Sequence, residues 1–134
     1  MTSIDITIAI LEERIQDLLC DALEGGSNDW YIILSHNYPE GKTKETMPLE
    51  FPHLELILKG GSLTIGDIEG QMPSRIIDLE ACKQALQRMA RDYKDEFAAF
   101  ITDNDDANTG DVFLQLAVFD EVVFDSVHLA GELR

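Results

Sequence analysis

Apolar and polar positions alternate over Ile4, Asp5, Ile6, Thr7 and Ile8, the period of a half-buried strand. From Ile8 the period lengthens. Ile8, Leu11, Ile15, Leu18, Leu19 and Ala22 follow three-and-four spacing and predict a helix to about Glu24. Gly25-Gly26 is expected to end it, with glycine taking the left-handed conformation. Trp30 to Leu34 is rich in β-formers and predicts a buried strand. Residues 39–52 hold three of the four prolines and read as a long exposed connection. Residues 54–58 and 62–65 flank Lys59-Gly60-Gly61, the pattern of a glycine-turn hairpin, and residues 66–74 read as a loop.

The second half reads as mainly helical. Asp78 is placed to cap a helix whose stripe is Leu79, Cys82, Leu86, Met89 and Tyr93. A short helix over residues 95–101 would bury Phe97, Phe100 and Ile101. After a polar stretch, Thr109 is the expected cap of a last helix from Asp111 to Phe119, apolar nearly all round and therefore central. Val122 to Phe124 reads as a closing strand, and the tail from Ser126 has no assigned element. The sum is a single α+β domain over residues 1–134. It has a mainly antiparallel sheet of about four or five strands and about three or four helices on one face.

Charge changes the picture. The 134 residues carry 26 acids and 10 bases, a formal charge of −16. Residues 1–41 sum to −7, residues 42–94 to zero and residues 95–134 to −9, so two acidic ends flank a neutral middle. Such a chain repels nucleic acid and anionic lipid, and its natural attractor is a basic protein surface. Glu13, Asp17, Asp21 and Glu24 recur at four, four and three, which places them on one face of the first helix. Carboxylates so spaced stand roughly 5–6 Å apart and can imitate a row of phosphates. Asp103, Asp105, Asp106 and Asp111 would extend that row if the last loop lies beside this helix. The plain alternative is a solvated surface. Against it, like charges at this spacing cost a few tenths of a kcal/mol per pair, and only Arg14 offsets them nearby.

Candidate chemistry is mostly excluded. Residues 103–110 resemble a calcium loop, but in the best register Thr109 replaces the glycine and Gln115 the bidentate glutamate. His36, His53 and His128 are isolated, so no zinc site is expected. The glycine pairs lack nucleotide-loop contexts, and Ser27 lacks that of a nucleophile elbow. Cys20 and Cys82, each among apolar neighbours, read as free thiols of a reducing cytosol. No charged leader precedes Arg14, and no apolar run reaches membrane-spanning length. No catalytic residue, metal or cofactor is therefore expected. Asn28, Trp30 and Tyr31, beside the glycine turn, are the alternative ligand-binding candidates, although an aromatic pair also suits core packing.

The segment Ala22-Leu23-Glu24-Gly25-Gly26-Ser27-Asn28-Asp29-Trp30-Tyr31 resembles the Ala-Leu-Glu-Gly-Gly-Ser-Asn-Tyr-Trp signature of a family of small phage- and prophage-encoded proteins. Asp29 stands where that family tends to have tyrosine. The likeness resumes at Gly60-Gly61-Ser62-Leu63, Leu79-Glu80, Leu86-Gln87 and Met89-Ala90. It resumes again from Asn104-Asp105-Asp106-Ala107 through Asp111-Val112-Phe113-Leu114-Gln115 to Glu121-Val122-Val123. The resemblance brings no catalytic residues. It implies an accessory protein of the host bacterial cytoplasm. With the two-ended acidity, the expectation is an inhibitor of a nucleic-acid-dependent defence system, a CRISPR effector or restriction enzyme. Glu13, Asp17, Asp21, Glu24, Asp103, Asp105 and Asp106 would face its basic groove. The oligomeric state stays open, a homodimer included.

Overall fold

A computed structural model describes residues 1–124. In chain order the elements are α1 (Glu13–Asp21), β1 (Tyr31–Asn37), α2 (Pro52–Glu55), β2 (Ser62–Asp67), β3 (Arg75–Ile77), α3 (Leu79–Asp92), α4 (Lys94–Ile101) and α5 (Ala107–Phe119). The class is α+β; among the described residues there are five helices and one open antiparallel sheet of three strands in the order β1-β2-β3. Ile33 pairs with Ile65 and Leu63 with Ile77, and the β1 register slips between Ile33 and Ser35. One face of the sheet is buried through Leu63, Ile65 and Ile77; the other leaves Ile32, Leu34 and Ile76 in solvent. The helices cover the first face only.

The centre is α5. Every residue from Thr109 to Phe119 is buried, as an apolar circumference requires. Around it pack α1 through Ile15, Leu18 and Leu19, and α3 through Cys82, Ala85, Leu86 and Met89. Asp78 caps α3, its side chain accepting from the Ala81 amide at 2.9 Å.

Several expectations fail for identifiable reasons. Residues 4–8 form no strand, because no described strand lies beside them to accept their backbone bonds. Residues 54–58 are helical: Pro52, preset for a first helical turn, opens α2, and a 3₁₀ turn follows over Ile57–Lys59. Gly60, with φ +92°, ends that turn rather than linking two strands. Residues 66–74 are not all loop, since β2 runs on to Asp67. The three-residue β3 carries too little pattern to be read. Val122 to Phe124 pairs with no strand; the Val123 and Phe124 amides donate to Gln115 Oε1 at 2.8 and 2.6 Å. Among the described residues the sheet therefore has three strands, fewer than the four or five expected. Ile101 points outward, while Phe100 is buried. The tail from Ser126, with His128, lies outside the described residues.

Gly25-Gly26 does end the first helix, after a widened π turn over Ala22–Gly26, but neither glycine takes a positive φ. Close approach is the reason. A Cβ on Gly26 would lie 1.9 Å from the Ala107 carbonyl oxygen. Gly110 repeats the device from the other side, where a Cβ would lie 2.5 Å from the Ala22 amide nitrogen and from Asp21 Cβ. The two glycines let the end of α1 and the start of α5 touch backbone to backbone.

Candidate functional site

That close approach joins the chain's two most distinctive sequence segments. Asp111, four residues into α5, is buried, and its Oδ1 accepts from Ser27 Oγ and Trp30 Nε1, both at 2.7 Å. Its Oδ2 accepts from Gln115 Nε2 at 2.9 Å. Gln115 is itself fully buried, and its amide also holds the backbone of Val123 and Phe124. Phe124 stacks on Trp30 with centroids 5.5 Å apart, and Phe119 closes the cluster at 5.1 Å from the indole. Each buried polar atom here has a partner, so the network fixes one arrangement of core and turn. Asp111 is thus an internal acceptor and does not extend the acidic surface.

The same geometry bears on Asn28, Trp30 and Tyr31. Trp30 is a core residue whose only polar atom is committed to Asp111. The Tyr31 hydroxyl donates to the Leu23 carbonyl at 2.6 Å, and desolvation raises its pKa. Asn28 alone of the three is exposed.

Four of the acidic residues meet where α1 faces the loop before α5. Arg14, half-buried on α1, donates to Asp17 Oδ2 at 2.6 Å, to Asp105 Oδ1 at 2.9 Å and to the Phe100 carbonyl at 2.7 Å. Asp103 lies 3.4 Å from the same guanidinium, which also sits 4.7 Å above the Phe100 ring. Asp17 and Asp21 of the predicted row therefore meet Asp103 and Asp105 of the loop around a single cation, whereas Glu13 and Glu24 make no contact with that loop. Side-chain hydrogen bonds to Asp105 and Asp17 hold the Arg14 pKa above its ordinary value.

Within this cluster Asp21 and Asp105 face each other. Asp21 Oδ2 is buried and has no N–H or hydroxyl donor among the described residues. Burial first, then the hydrogen bond and charge of Asp105, push the Asp21 pKa up to about 7. Burial opposes ionisation of Asp105 too, but its bonds to Asp21 and Arg14 outweigh that and lower its pKa. With the Asp21 pKa raised and that of Asp105 lowered, Asp21 is the member that keeps a proton to higher pH, while Arg14 favours the ionised form of Asp105.

The seven predicted carboxylates thus divide by task. Asp105, only 8% exposed at its side chain, and Asp21 are bound up in the pair. Asp106 caps α5, accepting from the Thr109 amide at 3.0 Å while Thr109 Oγ1 accepts from the Asp106 amide. The helix cap is therefore Asp106, three residues before Thr109. Glu24 turns to His53, 2.9 Å away. Glu13, Asp17, Glu24, Asp103 and the capping Asp106 are exposed. Sequence reasoning missed Arg14 as the clamp and Asp111 with Gln115 as the buried pair. The second was detectable, since two polar residues four apart on an otherwise apolar helix must find internal partners.

The bases of the middle segment do not reach this cluster. Arg75 pairs with both oxygens of Asp120 at 2.8 and 2.9 Å, and Arg88 donates to the Asp120 backbone carbonyl. Cys20 and Cys82 are free thiols, and burial pushes the Cys82 pKa up to about 12. Among the described residues no group of three or more His, Cys, Asp or Glu side chains is placed to hold a metal ion. No described helix is long and apolar enough to cross a membrane. Comparisons with family models, curated proteins and solved structures find no match to this chain.

Proposed function

We propose that this protein is a phage-encoded acidic decoy. It presents carboxylates to a basic groove that a host protein uses to hold nucleic acid, as in a CRISPR effector or restriction enzyme, and so inhibits defence. The observation that supports the reading is the meeting of Asp17 of α1 with Asp103 and Asp105 of the loop at Arg14. Acids far apart in the chain share one surface there, and one guanidinium serves Asp17, Asp103 and Asp105.

Glu13, Asp17, Glu24 and Asp103 are the groups offered to the partner. Arg14, Asp21, Asp105 and Asp106 hold the scaffold that offers them. Fixed carboxylates bind a cationic groove at less entropic cost than mobile ones, because the loop is ordered before the encounter. The net charge of −16 adds long-range steering toward a cationic partner. The reading requires neither catalysis nor a cofactor.

The test is capture from a bacterial host lysate on the immobilised protein at low salt, with elution by a salt gradient. Captured proteins should be nucleic-acid-binding proteins that duplex DNA displaces. Proteins that resist both salt and DNA would refute the decoy.

A further inference from the structure

Away from the acidic cluster, the helical side of the molecule holds a cleft of about 470 Å³. Its floor is apolar: Ile15 of α1, Leu86 and Ala90 of α3, and Phe97 of α4. The arm before α1 forms the remaining wall through Ile6, Ile8 and Ile10. Ile6 is 77% exposed and Ile8 46% exposed, so aliphatic surface stays wet beside an apolar floor. An occupant of the cleft would take that surface out of water. The arm belongs to no helix or strand, so it can shift to fit an occupant without breaking either kind of ladder.

Three exposed polar side chains stand at the rim. Lys83 and Gln87 are one turn apart on α3, and Glu12 lines the cleft from just before α1. Lys83 and Glu12 do not pair with each other, and among the described residues neither side chain has a hydrogen-bond or ion-pair partner. That pattern of charge selects the occupant. A neutral apolar molecule would dry both charges and pair neither. An amphiphile with one charged head would pair one and meet the other as a like charge. A zwitterion matches both, and its zero net charge is not repelled by a chain of −16. The volume lies toward the small end of ligand sites, about 300–1,000 Å³. Two extended residues of peptide, spanning roughly 7 Å, suit it.

We propose that this cleft binds a short apolar peptide with both termini free. Its carboxylate meets Lys83, its ammonium meets Glu12, and its side chains lie on Ile15, Leu86 and Phe97. Gln87 is placed to bond the peptide's amide. The site shares no residue with Glu13, Asp17, Glu24 and Asp103, so it stands or falls independently of the decoy reading.

The test is titration of the full chain with dileucine, N-acetyl-dileucine and dileucine amide at about 150 mM salt, followed by amide NMR shifts. Dileucine should bind with a Kd of about 0.1–1 mM and shift amides of the cleft-lining residues. Lys83→Gln should lower the Kd ratio of dileucine amide to dileucine about three- to fivefold, the worth of an exposed ion pair, and leave the ratio for the acetylated peptide unchanged. Glu12→Gln should do the reverse. Comparing ratios between parent and variant cancels the effect of overall charge. Both positions are exposed and unpaired, so Tm should not move. No binding of dileucine up to about 5 mM overturns the proposal. So do ratios that neither substitution changes, because the cleft would then be indifferent to the peptide's ends.

Discussion

Replacing Asp21 by Asn isolates the proton that Asp21 keeps at the α1–loop contact. In the unfolded chain Asp21 ionises near pH 4, whereas in the fold it keeps its proton up to about pH 7. Between those values the native protein binds more protons than the unfolded chain, so stability falls as pH rises, and levels off above the folded value. A displacement from 3.8 to about 7 would be worth about 4 kcal/mol in a group sealed from solvent. Asp21 is only half-buried, and screening reduces this to about 1–2 kcal/mol. Asn keeps the shape and the donor toward Asp105 but has no proton to lose. Urea unfolding at pH 5 and pH 8.5 should show the variant within about 0.5 kcal/mol of the parent at the lower pH and about 1–2 kcal/mol more stable at the higher. An equal effect of Asp21→Asn at both pH values would refute the raised Asp21 pKa.

The remaining predictions concern the interlock. Asp111→Asn leaves one oxygen for Ser27 and Trp30 but turns an N–H₂ toward Gln115 Nε2, donor against donor. It should cost about 1–3 kcal/mol in urea unfolding followed by the fluorescence of Trp30, the single tryptophan. Gly26→Ala drives a methyl into the Ala107 carbonyl and should cost at least about 3 kcal/mol, read as a loss of Tm; Gly25→Ala, whose Cβ meets Ala107 Cβ at an ordinary 3.5 Å, should change it little. Arg14→Gln removes the guanidinium from Asp17, Asp103 and Asp105 together and should cost about 1–3 kcal/mol, less in high salt.

Much of the helical half was legible because capping and periodicity agreed. Asp78 begins α3, and its apolar stripe is the stripe that packs. The apolar circumference of α5 announced a central helix. The sheet was less legible because alternation over five residues is a weak signal. Leu54-Glu55-Leu56 alternates, yet Pro52 opens a helical turn there. Ile4 to Ile8 alternates yet forms no strand, because strand pairing needs a neighbour that local sequence does not supply. At the site, charge spacing singled out Glu13, Asp17, Asp21 and Glu24, but Glu24 lies past α1 in the π turn and turns to His53, and one-dimensional reasoning could not tell exposed carboxylates from structural ones. The loop buries Asp105 beneath Arg14, and only tertiary contact sets Asp21 against Asp105, where burial and the facing carboxylate raise its pKa.

The central claim is that Glu13, Asp17, Glu24 and Asp103 act together as a phosphate-like surface. Its most direct test is the Kd for a nucleic-acid-binding protein captured from the host, measured from about 50 to 200 mM salt for the parent chain and for the Asp17→Lys/Asp103→Lys variant. The account predicts a parent affinity that falls at least tenfold over this range, as charge-driven contacts do, and a variant weaker at low salt with a shallower slope. Equal affinities and equal slopes for the two chains would contradict it.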